Sequence, residues 1–583
     1  MRYILILLSL ICSAGYADTT KPWTFWYWMY GAVSEEGIRA DLQAMKDVGL
    51  GGCYLMPIRG TEDRPEYEGK AQQLTPEFWQ MVDYAFQQAD SLGLEMGIHV
   101  CDGFALAGGP WITPEESMQK VVWSDTIVNI PANTSSRFTL DSSLLPAPHP
   151  GHDGYYEDIA AFAVKAAQPL PEANLSGTIV RDEGGTFRSK EPGYIQFSYA
   201  EPQTVRSVEI IPSGNNLQAQ RFRVQASNDG LTFSDIRQLT PPRQGWQNTD
   251  QNYTYALPET TARHFRFCWT PDGTEPGSED LDAAKWSPVL KVKDIRLSPE
   301  PRIDLYESKN GSVWRRSAEY KVECVDTFFT LHAELPPGTY RVLRFGHTAT
   351  GHTNATAGGG KGLECDKFSI PSVEKQVSRW FGEFKKRPNS SVVRYMHVDS
   401  WECGSQNWSR NFSEEFSKRR GYDLLPWLPV YAGIPMAAPE GQEGRDYEQV
   451  LRDIRLTIND LTGEAFFATV AEKAREYGVL LSCESVAPTM VSDGMAHYKY
   501  VDIPMGEYWL NSPTHDKPND MLDAISGAHV YGKNIIQAEG FTEVRGVWDE
   551  TPASIKPLLD RNFALGMNRL FFHVFTHNPW TDR

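Results

Sequence analysis

The sequence predicts an α/β fold: an eight-stranded (β/α)8 TIM-like barrel interrupted by a β-sandwich insertion. Two observations predict it. The opening and closing blocks alternate short apolar runs with amphipathic helical stretches, whereas the middle block loses helical periodicity. Three strand-like runs precede the middle block and five follow it, and three plus five closes a barrel of eight. The length, 583 residues, suits one large barrel plus one or two modules.

The chain opens on MRYILILLSLICSAGYADTT. Arg2 is positive, residues 3–12 are apolar, and the small Gly15 and Ala17 suit cleavage after Ala17. Residues 1–17 read as a secretory signal, so the product is expected to be exported, periplasmic or extracellular. The apolar run is about half of the roughly 20 residues a membrane span needs, and no other segment reaches that length. Leu10 and Ile11 are too large for the residues that precede a lipid-bearing cysteine, so Cys12 is read as part of the signal. The remaining cysteines are widely spaced with no metal-binding pattern, and several lie in apolar runs; buried free thiols are expected.

The first barrel part, 18–125, starts with the aromatic run WTFWYWMY. Ser34 then caps an amphipathic helix with Ile38, Leu42 and Met45 on one face. GGCYLMPI is a buried strand. Thr75-Pro76-Glu77 opens a helix over 75–92, with Thr at the cap and Pro at the first helical position. LEMGIHVC is the third strand.

The insertion, 126–385, carries short alternating segments: SVEIIP, RFRVQAS, HFRFCW, VLKVKDIRL, DTFFTLHAEL and GTYRVLRFG. Pro, Gly, Ser and Asn separate them, as in one or two sandwich modules. The stretch Val224 to Gly230, followed by Phe233, resembles a strand and turn of discoidin-like (galactose-binding-like) modules.

The second barrel part, 386–583, supplies VVRYMHVD, VLLSCES, YVDIPMGEY, NIIQAEGF and NRLFFHVF as strands. Helices are expected in FSEEFSKRRGYD, across 446–477 and across 553–565. The chain stops just past the eighth strand, where a closing helix would be expected.

Composition narrows the function. Lys+Arg is 56 against 75 Asp+Glu, a net charge of −19, which disfavours nucleic acid because phosphate binding needs cationic side chains. Barrel chemistry sits at the C-terminal strand ends. There the sequence places Glu402 after VVRYMHVD, Glu484 after VLLSC, Glu507 after YVDIPM and Glu539 after NIIQA. Carboxylates at a barrel mouth suit glycoside hydrolysis, which needs one acid to protonate the leaving oxygen and a second carboxylate to activate water or attack carbon. Trp401, Trp408, Trp509 and Trp580 offer apolar faces for a carbohydrate substrate. His573 and His577 leave a strand, so sugar hydrogen bonding suits them better than metal ligation. Further carboxylates could bind a cation with the help of sugar hydroxyls.

A resemblance becomes specific on four runs: Trp26 to Ile38; Gly108 to Glu115; Asp399-Ser400-Trp401-Glu402 with Gly404 to Trp408; and His573 to Trp580. Together they resemble glycoside hydrolase family 106, the α-L-rhamnosidases. The resemblance implies an inverting, calcium-dependent enzyme on a (β/α)8 barrel with appended sandwiches. It implies Glu402 as general acid, Glu539 as general base and Glu507 as a calcium ligand; Glu484 and Glu543 compete for the last two roles. Family members continue into C-terminal β domains, so the resemblance also implies a shortened C-terminus here. The expected activity is release of rhamnose from pectin-type plant polysaccharide or smaller rhamnosides. Alternatives are a barrel glycosidase for another sugar and a non-catalytic carbohydrate-binding remnant.

Overall fold

A computed structural model of the chain describes residues 21–58, 69–103, 106–132, 138–140, 154–213, 219–242, 252–271, 288–311, 331–333, 335–354, 358–484, 493–510, 518–543 and 549–580. The expected signal segment 1–17 and Cys324 lie outside the described residues.

Eight parallel strands close a barrel. In chain order they are β1 (Trp23–Met29), β2 (Gly52–Ile58), β3 (Glu95–His99), β4 (Val393–Val398), β5 (Leu480–Glu484), β6 (Ile503–Trp509), β7 (Gln537–Thr542) and β8 (Arg569–Thr576). Closure pairs β1 with β8, setting Trp23 opposite Phe571. The expected strand runs all hold a barrel strand.

The two helices of the first barrel part form where the sequence signals them, whereas the helices Ile370–Arg379 and Pro518–Tyr531 were not expected. In α1 (Glu35–Asp47) the Ser34 side chain accepts from the Gly37 N–H at 3.0 Å, and Ile38, Leu42 and Met45 are buried. In α2 (Pro76–Leu92) Thr75 caps the Phe78 N–H, and Gly93 ends the helix at φ 66°, a left-handed position that suits glycine. The outward faces of the strands meet these helices: Trp26, Trp28, Leu55, Leu481 and Cys483 share one buried core with Ile38, Phe78 and Val82. Fully burying one such apolar side chain contributes roughly 1.5–3 kcal/mol.

The chain divides into two compact units. The barrel unit holds Met1–Met118, Gly351–Gly404 and Asn459–Arg583; the second holds Gln119–Thr350 and Ser405–Ile458. The change of periodicity in the sequence places these lines at 125/126 and 385/386. Strand pairing sets the first line earlier, because Gln119–Ile130 pairs antiparallel with Gly338–Ala349 along its whole length. The second line also moves earlier, because Val373 and Val377 of the helix Ile370–Arg379 belong to the barrel core. The helix Phe412–Arg420, read as part of the barrel, falls in the second unit.

The second unit is β-rich. A seven-stranded antiparallel sheet is built around Gly193–Pro212 and Tyr253–Trp269, and a three-stranded sheet joins Gln119–Ile130, Gly338–Ala349 and Tyr156–Lys165. Of DTFFTLHAEL, only Leu331–Ala333 is a described strand. Among the described residues no disulfide forms: Cys53, Cys101, Cys365, Cys403 and Cys483 are buried free thiols, and Cys268 is half-buried.

Candidate active site

Side chains alternate along a strand, so every second residue enters the barrel. Phe25, Tyr54, Met505 and Phe571 pack together inside it. His397, Ser482 and Gln537 lie among them: the Phe25 and His397 rings are 5.5 Å apart, and Gln537 Nε2 donates to Ser482 Oγ at 3.0 Å. Two residues further along the same strands come Tyr27, Asp399, Glu484, Glu507, Glu539 and His573. The acidic mouth is thus the next layer above an apolar and neutral-polar floor.

Strand register sets these groups in two pairs. Val398 lies opposite Cys483, which brings Asp399 level with Glu484. Glu507 lies directly opposite Glu539. Parallel neighbours are about 4.8 Å apart, so each pair brings two carboxyl groups close together. Asp399 and Glu484 are 6% and 2% exposed, and a hydrogen bond joins their side chains. Burial first, and the neighbouring carboxylates second, push both acids well above the usual carboxylate range. Burial and the charge of the neighbouring acid both work against ionising the pair. Glu484 Oε1 has no hydrogen-bond partner among the described residues, and neither has His397 Nε2. Ligating atoms of His397, Asp399 and Glu484 lie within 4.8 Å of one another.

Local structure aims each group. The Ser400 N–H donates to Asp399 Oδ1 at 2.8 Å. His497 meets the Glu484 carbonyl at 3.3 Å and fixes the end of β5. Phe541 takes φ 68° and makes a bulge, so that Trp509 faces Thr542 rather than Phe541. The bulge turns the Thr542 hydroxyl onto Glu539 Oε1. The Trp509 indole N–H donates to Glu507 Oε1. Glu402 is half-buried in the turn after β4. That turn is anchored by the Trp401 indole, which donates to the Gly404 carbonyl at 2.6 Å and packs edge-on against Phe466 at 5.9 Å.

Tyr27 was not singled out by the sequence, yet it stands in the same layer as the acids. Burial and the charges of Asp399, Glu539, Glu484 and Glu402 together raise its phenol well above the ordinary value. Its oxygen lies 3.4 Å from His573 Nε2, which lies 3.9 Å from Glu539 Oε1.

The predicted sugar-facing aromatics separate. Trp509 and Trp580 are half-exposed. Trp401 is 2% exposed and Trp408 3% exposed, so neither presents a ring face to a ligand. Trp408 lies in the second unit and packs against Phe412 and Tyr431. His577 is also not placed for a sugar: Nδ1 meets Asp41 Oδ2 at 2.6 Å, Nε2 meets the Ser34 N–H at 3.4 Å, and the ring packs on Trp26 outside the barrel interior. The physical reason is shared. A large side chain after a strand saves more free energy by packing than by standing in water, unless the fold leaves it no cover.

A closed (β/α)8 barrel with a ring of carboxylates at the C-terminal strand ends defines the class: a barrel of the glycoside-hydrolase kind. The family model described as alpha-L-rhamnosidase matches residues 16–583, and the chain belongs to that family, glycoside hydrolase family 106. It is similar to a solved rhamnosidase from Novosphingobium sp. PP1Y, with 26% identity and a TM-score of 0.74; the match covers 97% of this chain and 56% of that one. It is also 27% identical over 575 residues to a Formosa agariphila protein named "Putative beta-glucuronidase", covering 97% of this chain and 37% of the relative. The chain therefore spans little more than half of one relative and about a third of the other. Among the described residues no helix is long and apolar enough to cross a membrane.

Proposed function

We propose that this protein is an exported, inverting α-L-rhamnosidase that removes rhamnose from pectin-type polysaccharide or smaller rhamnosides. The observation that carries the reading is the layer of Asp399, Glu484, Glu507 and Glu539 at neighbouring strand ends of a family 106 barrel. Glu402 is the general acid: half-buried on its anchored turn, it protonates the departing oxygen. Glu539 is the general base: it takes a proton from the water that attacks the anomeric carbon from the opposite face. The Thr542 hydroxyl holds the Glu539 carboxylate in one orientation. Trp509 and Trp580 offer exposed ring area for sugar C–H groups.

Calcium is the cofactor that the family resemblance implies, and the donors fit it. Asp399 and Glu484 are adjacent buried acids whose mutual repulsion a cation would offset, and Glu484 Oε1 lacks a partner among the described residues. Calcium takes six to eight oxygens, so Glu507 would join Asp399 and Glu484 in holding it. His397 is the one donor of a different kind, a nitrogen that suits other metals better. When bound, the cation supplies positive charge that anchors the sugar hydroxyls.

A second reading, a barrel glycosidase for another sugar such as a glucuronide, is favoured by the name of the Formosa agariphila relative. Hydrolysis of an aryl α-L-rhamnoside and an aryl β-glucuronide, each with and without chelator, tests both. Proton NMR of the first-formed sugar reads the stereochemistry. Rhamnose release with inversion, lost on chelation, is the expected result. Turnover of the glucuronide alone would move the assignment to the second reading.

A further inference from the structure

His573 Nε2 faces two partners of opposite demand. On one side lies the Tyr27 oxygen at 3.4 Å, with the two rings nearly perpendicular at 87°. On the other lies Glu539 Oε1 at 3.9 Å. The third wall is the Phe25 ring, 6.3 Å away. A phenol beside carboxylates keeps its proton, so Tyr27 can donate to the ring nitrogen. A carboxylate is an acceptor. One ring nitrogen cannot accept from the first and donate to the second.

We infer that Tyr27 is a positioning residue for Glu539, acting through His573: its hydroxyl donates to His573 Nε2 and holds the imidazole as the neutral Nδ1–H tautomer. The state of one ring nitrogen is set by the hydrogen bond the ring makes. With Nε2 accepting from Tyr27, no imidazole N–H is directed at Glu539. The carboxylate keeps the Thr542 hydroxyl as its donor and retains its basicity toward water. Without the Tyr27 hydroxyl, Nε2 takes the proton and donates to Glu539. That bond stabilises the ionised carboxylate and makes it a poorer base.

Why a tyrosine stands here follows from the fold. Barrel closure brings β1 beside β8, so Tyr27 is close to His573 although 546 residues separate them. The phenol ring also lies one layer above Phe25, 6.3 Å between ring centroids.

The inference rests on Glu539 being the base of the proposed hydrolysis. The experiment therefore has one arm that does not need turnover. The full chain is labelled with 15N-histidine, and the His573 signals are assigned by their loss in His573→Asn. In the wild type, Nε2 should be unprotonated and Nδ1 protonated; in Tyr27→Phe the proton should move to Nε2. On an aryl α-L-rhamnoside, Tyr27→Phe should lower kcat about tenfold with KM changed less than about twofold, the pattern of an interaction used in the transition state. A protonated Nε2 in the wild type overturns the inference, even if the variant fails to fold. The same tautomer in both proteins, or a moved proton with unchanged kcat, overturns it too. A wild type that turns over no rhamnoside defeats the functional reading, while the two spectra still decide the tautomer.

Discussion

Each unit buries a glutamate, and the two could hardly be used more differently. Glu307, in the second unit, is 7% exposed, and burial raises it to about 7. Both its oxygens are satisfied by Thr254: the backbone N–H donates at 3.1 Å and the hydroxyl at 2.6 Å. Glu484, in the barrel, is 2% exposed and also raised by burial. Its neighbours are Asp399, Glu539 and Glu507, and one of its oxygens has no partner among the described residues. Burial and a raised acid thus do not by themselves mark a site. The sign of the neighbours does: a structural carboxylate is surrounded by donors, a working one by other acids.

The largest expected effect sharpens this contrast. Glu402→Gln and Glu539→Gln should each cost about 10²–10⁴-fold in turnover, the usual weight of a general acid or base, with the acid variant partly spared on an activated aryl leaving group. Glu307→Gln should leave kcat/KM on the same substrate within about twofold, because the group touches no reacting atom. An equal loss in Glu307→Gln would erase the distinction.

The next effect concerns stability. Lys367 and Glu364 form an ion pair at 2.7 Å with both side chains 0% exposed, and the lysine also donates to the Cys365 carbonyl at 2.9 Å. Lys367→Met should destabilise the barrel unit by about 3–5 kcal/mol, since it strands a buried charge. The double variant Lys367→Met/Glu364→Gln should recover part of that loss in chemical denaturation. A single variant as stable as wild type would show that the pair is already solvated.

The pH dependence is smaller and has a definite sign. An acid raised in the folded state binds more protons there than in the unfolded chain. Stability is therefore full below the unfolded value of about 4.3 and falls as pH rises through the folded one. For Glu307 that loss ends near pH 7, where its folded value of about 7 lies. For the Asp399–Glu484 pair the sign is the same, because burial and the neighbouring acids raise both. In chelator, Glu307→Gln and Glu484→Gln should each flatten the fall in Tm as pH rises from 5 to 8, the second at the cost of turnover. A fall as steep as that of the wild type in either variant would remove that acid from the pH dependence.

The smallest effects separate aromatics of one kind. Trp509→Ala should raise KM, whereas Trp408→Phe should move Tm by only a few degrees and leave KM unchanged, since it is a modest change in a packed core. A raised KM in Trp408→Phe would restore it to the binding surface.

Much of the barrel was legible because its signals are local. Ser34 and Thr75 cap helices through groups three residues away, and the apolar runs before Glu484, Glu507 and Glu539 are unbroken enough to mark strand ends. The readings that shifted depend on distant neighbours. The fate of Trp401 is decided by Phe466, that of Trp408 by Phe412 and Tyr431, and that of His577 by Asp41. Tyr27 was hidden in a run of aromatics in which every residue looks like core. Counting alternate residues from Phe25 would have put it on the inner face, but only closure against β8 shows what it meets there.

By itself the sequence determined the barrel strands, the capped helices Glu35–Asp47 and Pro76–Leu92, the acidic character of the strand ends and the family, while the helices Ile370–Arg379 and Pro518–Tyr531 went unread. These follow from periodicity, capping and residue type, which act over a few residues. The tertiary structure decided which acids share a level, which of them burial raises and which aromatic stays partly exposed. Those outcomes depend on burial and on charge across strands far apart in the chain, and neither exists until the barrel closes.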